Sequence, residues 1–115
     1  MNKDIERIFE RKIEIQNIII PVEYANYDGN SEEYVVYFNT GSEPKYSEDD
    51  EITYSENSVE FHIYSKGNYL KIVDIIKKKL KENDYIWDGD SDDLYETDTK
   101  YHHFVSSFKK INYIL

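Results

Sequence analysis

The chain has 115 residues, with 24 Asp and Glu against 14 Lys and Arg, and a formal net charge of −10. That balance disfavours general nucleic-acid binding, whose affinity comes from cationic neutralisation of phosphates. The absence of cysteine excludes a disulfide scaffold, a thiolate zinc site and a Cys nucleophile. No apolar run approaches the length of a membrane span and no signal-peptide pattern opens the sequence, so one soluble intracellular domain over residues 1–115 is expected. Twelve tyrosines and only four glycines match the output of an AT-rich coding sequence, so the tyrosines alone do not define a binding surface.

Residues 3–15 predict a helix, with Ile5, Ile8, Phe9 and Ile13 near one face. Pro21 biases Ile20 toward an extended conformation, which makes Ile18–Tyr24 a short extended piece. Asp28-Gly29-Asn30 reads as a turn. Tyr34 to Phe38 is apolar throughout and predicts a strand covered on both faces. The polar stretch from Asn39 to Asp50 reads as an exposed loop. From Ile52 to Tyr64 strand character returns, and Val59, Phe61 and Ile63 alternate with Glu60, His62 and Tyr64. Ser55 to Ser58 interrupts it, as a hairpin turn or as a bulge in one long strand.

Residues 68–82 predict a second helix, with Tyr69, Ile72, Val73, Ile76 and Leu80 on one face. Asn68 suits its N-cap, and Asn83 a left-handed residue at its end. Tyr85-Ile86-Trp87 starts another strand, Asp88 to Asp93 reads as a loop, and Leu94-Tyr95-Glu96 leads through a turn to a strand from about Lys100 to Tyr113. The expected class is α+β: a mainly antiparallel sheet of four to five strands packed with two helices.

Local chemistry is sparse. Asp88-x-Asp90-x-Asp92 has the opening spacing of a calcium loop. However, Asp93 stands where the turn glycine belongs and Thr99 where the bidentate Glu belongs, so an acidic surface turn is the better reading. His102 and His103 are strand neighbours and point to opposite faces; His62 can meet one of them only in a register the sequence does not specify. No nucleophile elbow, phosphate-binding glycine loop or H-E-x-x-H run is present. No catalytic, cofactor or metal residue is assigned.

Charge distribution says more. Residues 23–60 hold 11 acids and one base, and residues 84–98 hold seven acids and none. Residues 61–83 carry six lysines against Asp74 and Glu82. Complementary patches set orientation in assembly. The candidate subunit interface therefore pairs Lys71, Lys77, Lys78 and Lys81 with the acidic run Glu48, Asp49, Asp50 and Glu51. Tyr46 and Tyr54 would suit interface anchors if exposed.

The order of features resembles the tail-completion proteins of long-tailed bacteriophages and prophages, also described as tail terminators or tail-to-head joining proteins. The motifs are Ile20-Pro21-Val22 with Tyr24, the step Tyr64-Ser65-Lys66-Gly67 into the second helix, and Leu94-Tyr95-Glu96-Thr97-Asp98-Thr99 ahead of Tyr101-His102-His103. The resemblance runs from the first helix to about Phe108; Asn39–Asp50 and Lys109–Leu115 are unmatched. It implies a structural protein of the virion tail, assembled in the host cytoplasm. Such a protein caps the head-proximal end of the tail tube as a ring, commonly of six subunits. Its partners would be the tail tube protein and the head-neck protein. It would use no cofactor and have no stable contact with nucleic acid or membrane. Two rivals remain open: an acidic DNA-mimic inhibitor of a nucleic-acid-binding protein, which the lysine-rich helix argues against, and a carboxylate-using hydrolase, which has no local signature.

Overall fold

A computed structural model of the chain describes residues 2–46 and 52–113. In chain order it contains α1 (Asn2–Phe9), β1 (Lys12–Ile15), β2 (Ile18–Tyr24), β3 (Glu33–Tyr46), β4 (Ile52–Ser65), α2 (Leu70–Glu82), β5 (Tyr85–Asp90), β6 (Leu94–Glu96) and β7 (Tyr101–Tyr113). The fold is α+β: a curled, mainly antiparallel sheet packed against two helices. The sheet has seven strands in the order β1-β2-β3-β4-β7-β5, with β6 also on β7, rather than four or five. The extra strands come from segments too short or too polar to read alone.

The first of these is β1. Ile5, Ile8 and Phe9 have helical spacing, but α1 stops at Phe9, and Glu10 and Arg11 adopt φ of 55° and 65°. Two consecutive left-handed residues end a helix. Ile13 then enters the core from a strand, at 2% exposure. Gln16 and Asn17, with φ of 49° and 69°, form the two-residue turn of the β1–β2 hairpin, whose positive φ values match strand twist. Residues 12–15 pair antiparallel with 18–21.

Strand β3 runs through most of what read as a loop. Its residues to Tyr46 pair with β4 as far as Ile52. The polar half is a strand because β4 supplies its hydrogen bonds, not because of its own propensity. Ser55 to Ser58 lies inside one continuous β4. The irregularity sits opposite, in β3, where the register shifts between Asn39 and Gly41. Residues 47–51, including the acidic run, lie outside the described residues.

One face of the sheet is dry. Val35, Val59, Phe61 and Ile63 are fully buried there against Ile5 of α1 and Ile72, Ile76 and Leu80 of α2. Helix α2 has the predicted apolar stripe. The Asn68 side chain accepts from the Leu70 N–H at 2.9 Å, although the cap position is Tyr69. At the far end Asn83 has φ −114°, and the left-handed residue is Asp84, φ 67°.

The opposite face carries rings. Tyr27 stacks on Tyr34, Tyr34 on Tyr64 and Tyr64 on His103, with centroids 4.6, 4.7 and 4.3 Å apart. Strands β2 and β3 are parallel neighbours, so residues 25–32 must carry the chain back. That return places Tyr27 on the ladder, and Tyr101 Oη donates to the Ser31 carbonyl at 2.8 Å. Gly29 has no room for a Cβ beside the Tyr27 ring.

Helix α1 is fastened to the sheet through Asp4. Its carboxylate accepts from Arg7 at 2.7 Å, Tyr85 Oη at 2.7 Å and Lys110 at 3.0 Å. Partial burial works against ionisation, but these three donors outweigh it and hold the carboxyl at about 2. The folded value lies below the unfolded one, so the stabilisation is complete above about pH 4 and is lost as pH falls toward about 2. Replacing Asp4 with Asn should cost on the order of 1–2 kcal/mol near pH 7. In urea titrations the gap to wild type should shrink between about pH 4 and 2; a gap independent of pH would contradict the assignment.

Candidate functional site

The four lysines of the candidate interface divide into two groups. Lys71 and Lys78 are seven residues apart and share the solvent face of α2, both exposed. Lys77 and Lys81 are one turn apart and flank the side next to β5. Their proposed counterparts Glu48, Asp49, Asp50 and Glu51 lie outside the described residues, so their contacts are not described. Tyr54 is half-buried beside Tyr113, centroids 5.9 Å apart; the side chain of Tyr46 is also outside the description.

A second arrangement, invisible in sequence, adjoins Lys77. Strand β5 pairs Trp87 with Phe108, but its next partnered residue, Asp90, meets Ser106. Three steps on β5 thus match two on β7, a bulge with Gly89 at φ 111°. A bulge re-aims the side chain that follows it, and here it turns Asp90 inward. The carboxylate accepts from buried Ser106 Oγ at 2.6 Å, Trp87 Nε1 at 2.9 Å and Lys77 Nζ at 2.8 Å. Partial burial alone would raise the pKa of Asp90. Hydrogen bonds from Lys77, Ser106 and Trp87 prevail, and the net direction is downward. Lys77 Nζ also lies 4.6 Å from the Trp87 ring centroid, within cation–π range.

This corrects the reading of Asp88 to Asp93 as a loop over its first half, while Ser91 to Asp93 do connect β5 to β6 outside any strand. Asp88 and Asp90 belong to β5, Asp90 is spent on its three donors, and Asp93 accepts from His102 Nδ1 at 3.0 Å. No group of three or more His, Asp or Glu side chains converges as metal ligands among the described residues.

The histidine question turns on register. Tyr64 is opposite His103 and His62 opposite Val105, which makes His62 and His103 diagonal neighbours on the ring-bearing face. His62 Nδ1 and His103 Nε2 are 2.8 Å apart, and His62 Nε2 lies 3.1 Å from Glu60. One ring nitrogen of the pair must donate and the other accept, so the contact requires at least one neutral imidazole. Burial first, then the neighbouring His62, lower the pKa of His103.

Ser65 gives the Tyr-Ser-Lys-Gly step a local cause. Fully buried, its hydroxyl donates to Glu33 at 3.0 Å and accepts from the Gly67 N–H at 3.1 Å, turning β4 toward α2. Comparison of the sequence with protein-family models and with curated proteins returns no match.

Asp90→Ala should strand the buried Ser106 hydroxyl and release Trp87 and Lys77, with a loss of about 2 kcal/mol in chemical denaturation. Trp87 is the sole tryptophan, so its fluorescence should change in the same variant; unaltered emission would contradict the network. By NMR, His103 should titrate below its ordinary 6.5. His62→Gln should raise that midpoint, and no change would show that the pair is uncoupled.

Proposed function

We propose that this protein is a structural component of a bacteriophage or prophage tail, capping the head-proximal end of the tail tube as a ring and joining it to the head-neck. The observation that carries this reading is the segregation of charge along the chain of an elongated body. Helix α2 bears Lys71, Lys77, Lys78, Lys79 and Lys81, whereas residues 23–60 hold 11 acids and one base. The body measures 53 × 27 × 23 Å. Opposite charge in separate segments favours one copy docking on the next, a heterologous contact that closes when its rotation divides the circle. An acidic lumen would let DNA pass without holding it.

The motifs behind the resemblance occupy turns and strand starts that shape the fold: Ser65 to Gly67 between β4 and α2, and Leu94 to Glu96 as β6 beside the start of β7. The proposed partners are the tail tube protein and the neck protein, and no catalytic role is assigned. No helix among the described residues is long and apolar enough to cross a membrane.

Immunogold labelling of phage particles should place the protein at the junction of tail and head; label along the tube or on capsids alone would refute the role. Reversing Lys77, Lys78 and Lys81 together to Glu should reduce attachment to purified tails at least tenfold, read by co-sedimentation. Normal attachment would remove the basic helix from the mechanism. A salt-sensitive complex with a nuclease or repressor, without tail binding, would favour DNA mimicry instead.

A further inference from the structure

Between α2 and β5 lies a groove of about 480 Å³ lined by Lys77, Lys81, Tyr85, Ile86, Trp87 and Phe108. Its base is core: Tyr85 and Phe108 are 4% and 2% exposed. Its walls are apolar and open, Ile86 at 45% and Trp87 at 54%. Lys77 is held by Asp90. Lys81 is exposed and has no ion-pair partner among the described residues.

The groove sets two requirements. A purely apolar occupant would press a lone ammonium against low-dielectric surface, which is costly without a counter-charge. A purely anionic one would leave Ile86 and Trp87 in water. The fitting occupant combines carboxylates with an apolar or aromatic side chain. This chain carries such a segment: Glu48, Asp49, Asp50 and Glu51 stand between Tyr46 and Ile52, with Tyr54 beyond.

The register excludes the chain's own copy. Tyr85 faces Lys110, and Lys110 faces Asn57. Ile52 is five residues further along β4, about 17 Å at roughly 3.3 Å per residue. It is also two strands away across the sheet, about 10 Å more. Five residues joining two paired strand ends, out and back, reach at most about 10 Å beyond them. We infer that the α2–β5 groove receives the acidic segment around residues 48–51 from a second copy of this chain, with Lys81 as the charge contact and Trp87 and Ile86 as the apolar one. This rests on the assembly reading above and names the receiving site, which the lysines alone did not. Lys71 and Lys78, on the solvent face, lie outside it.

A synthetic peptide of residues 44–54 titrated into the full-length protein tests the groove without requiring a ring. Trp87, excited selectively, is the reporter. The expected result is saturable, salt-sensitive blue-shifted emission below about 1 mM peptide. Binding should weaken at least tenfold for Lys81→Glu, and likewise for a peptide with its four acids changed to Asn and Gln. Ile86→Ser should weaken it less, and Lys100→Glu, exposed at the turn before β7 and outside the groove, should leave it unchanged. No change in emission up to about 1 mM, or equal binding of the neutral peptide, would overturn the proposal. So would protection of Trp87 by a tail or neck protein alone. If the peptide fails while the triple lysine reversal still blocks attachment to tails, the groove is wrong and the assembly reading stands. If the peptide binds and tails do not, the role on tails fails and the self-contact stands.

Discussion

Strand β4 has to keep Val59, Phe61 and Ile63 against the helices and Glu60, His62 and Tyr64 on the other side, while bonding to β3 and β7 along nearly its whole length. Side chains alternate with a period of two, so a slip of one residue would move Phe61 into water and His62 into the core. Each other assignment inherits this register. It puts Phe108 beside Val59 and Ser106 beside Phe61 on the dry face, and through β7 it decides where Trp87 and Asp90 of β5 can sit. From Tyr54 onward the irregularities are displaced to its neighbours, β3 taking up an extra residue near Gly41 and β5 one near Gly89, while β4 itself takes up one only at its start, between Ile52 and Tyr54.

Two helices cover only one side of seven strands. The other side is shielded by its own rings, which stand against one another from Tyr27 through Tyr34 and Tyr64 to His103, with Tyr101 edge-on to Tyr34 at 5.6 Å. Rings packed face to face bury their large surfaces mutually. Burial first, then the neighbouring tyrosines, push the Tyr34 hydroxyl up to about 12. Stacking of this kind uses up the ring faces a flat ligand would need, which sets the ladder apart from the groove on the other side of β5.

Legibility from sequence followed how local each cause was. Helix α2 was readable because its stripe and its polar face lie within thirteen residues. So was the core side of β4. Ile13 suits the core in either state: four residues after Phe9 it fits a helix, and two before Ile15 it fits a strand, which is the state it adopts. The decisive signal was Gln16-Asn17 between isoleucines, a hairpin turn without glycine. The second half of β3 could not be read, because its strand state is imposed by β4. The Asp90 network could not be read either. It needs a bulge and the β5–β7 register before Ser106, Trp87 and Lys77 meet one carboxylate.

The turns have a consequence for how this molecule could be improved. Glu10, Arg11, Gln16, Ala25 and Lys100 all hold positive φ without being Gly, Asn or Asp. A left-handed residue of that kind costs on the order of 1 kcal/mol. With only four glycines in the sequence, the chain makes these reversals with residues that carry a side chain. The core therefore offsets a cost that arises in the turns. Headroom for a hardier protein lies in those reversals: Ala25 borders the ring ladder, but none of the five lines the groove.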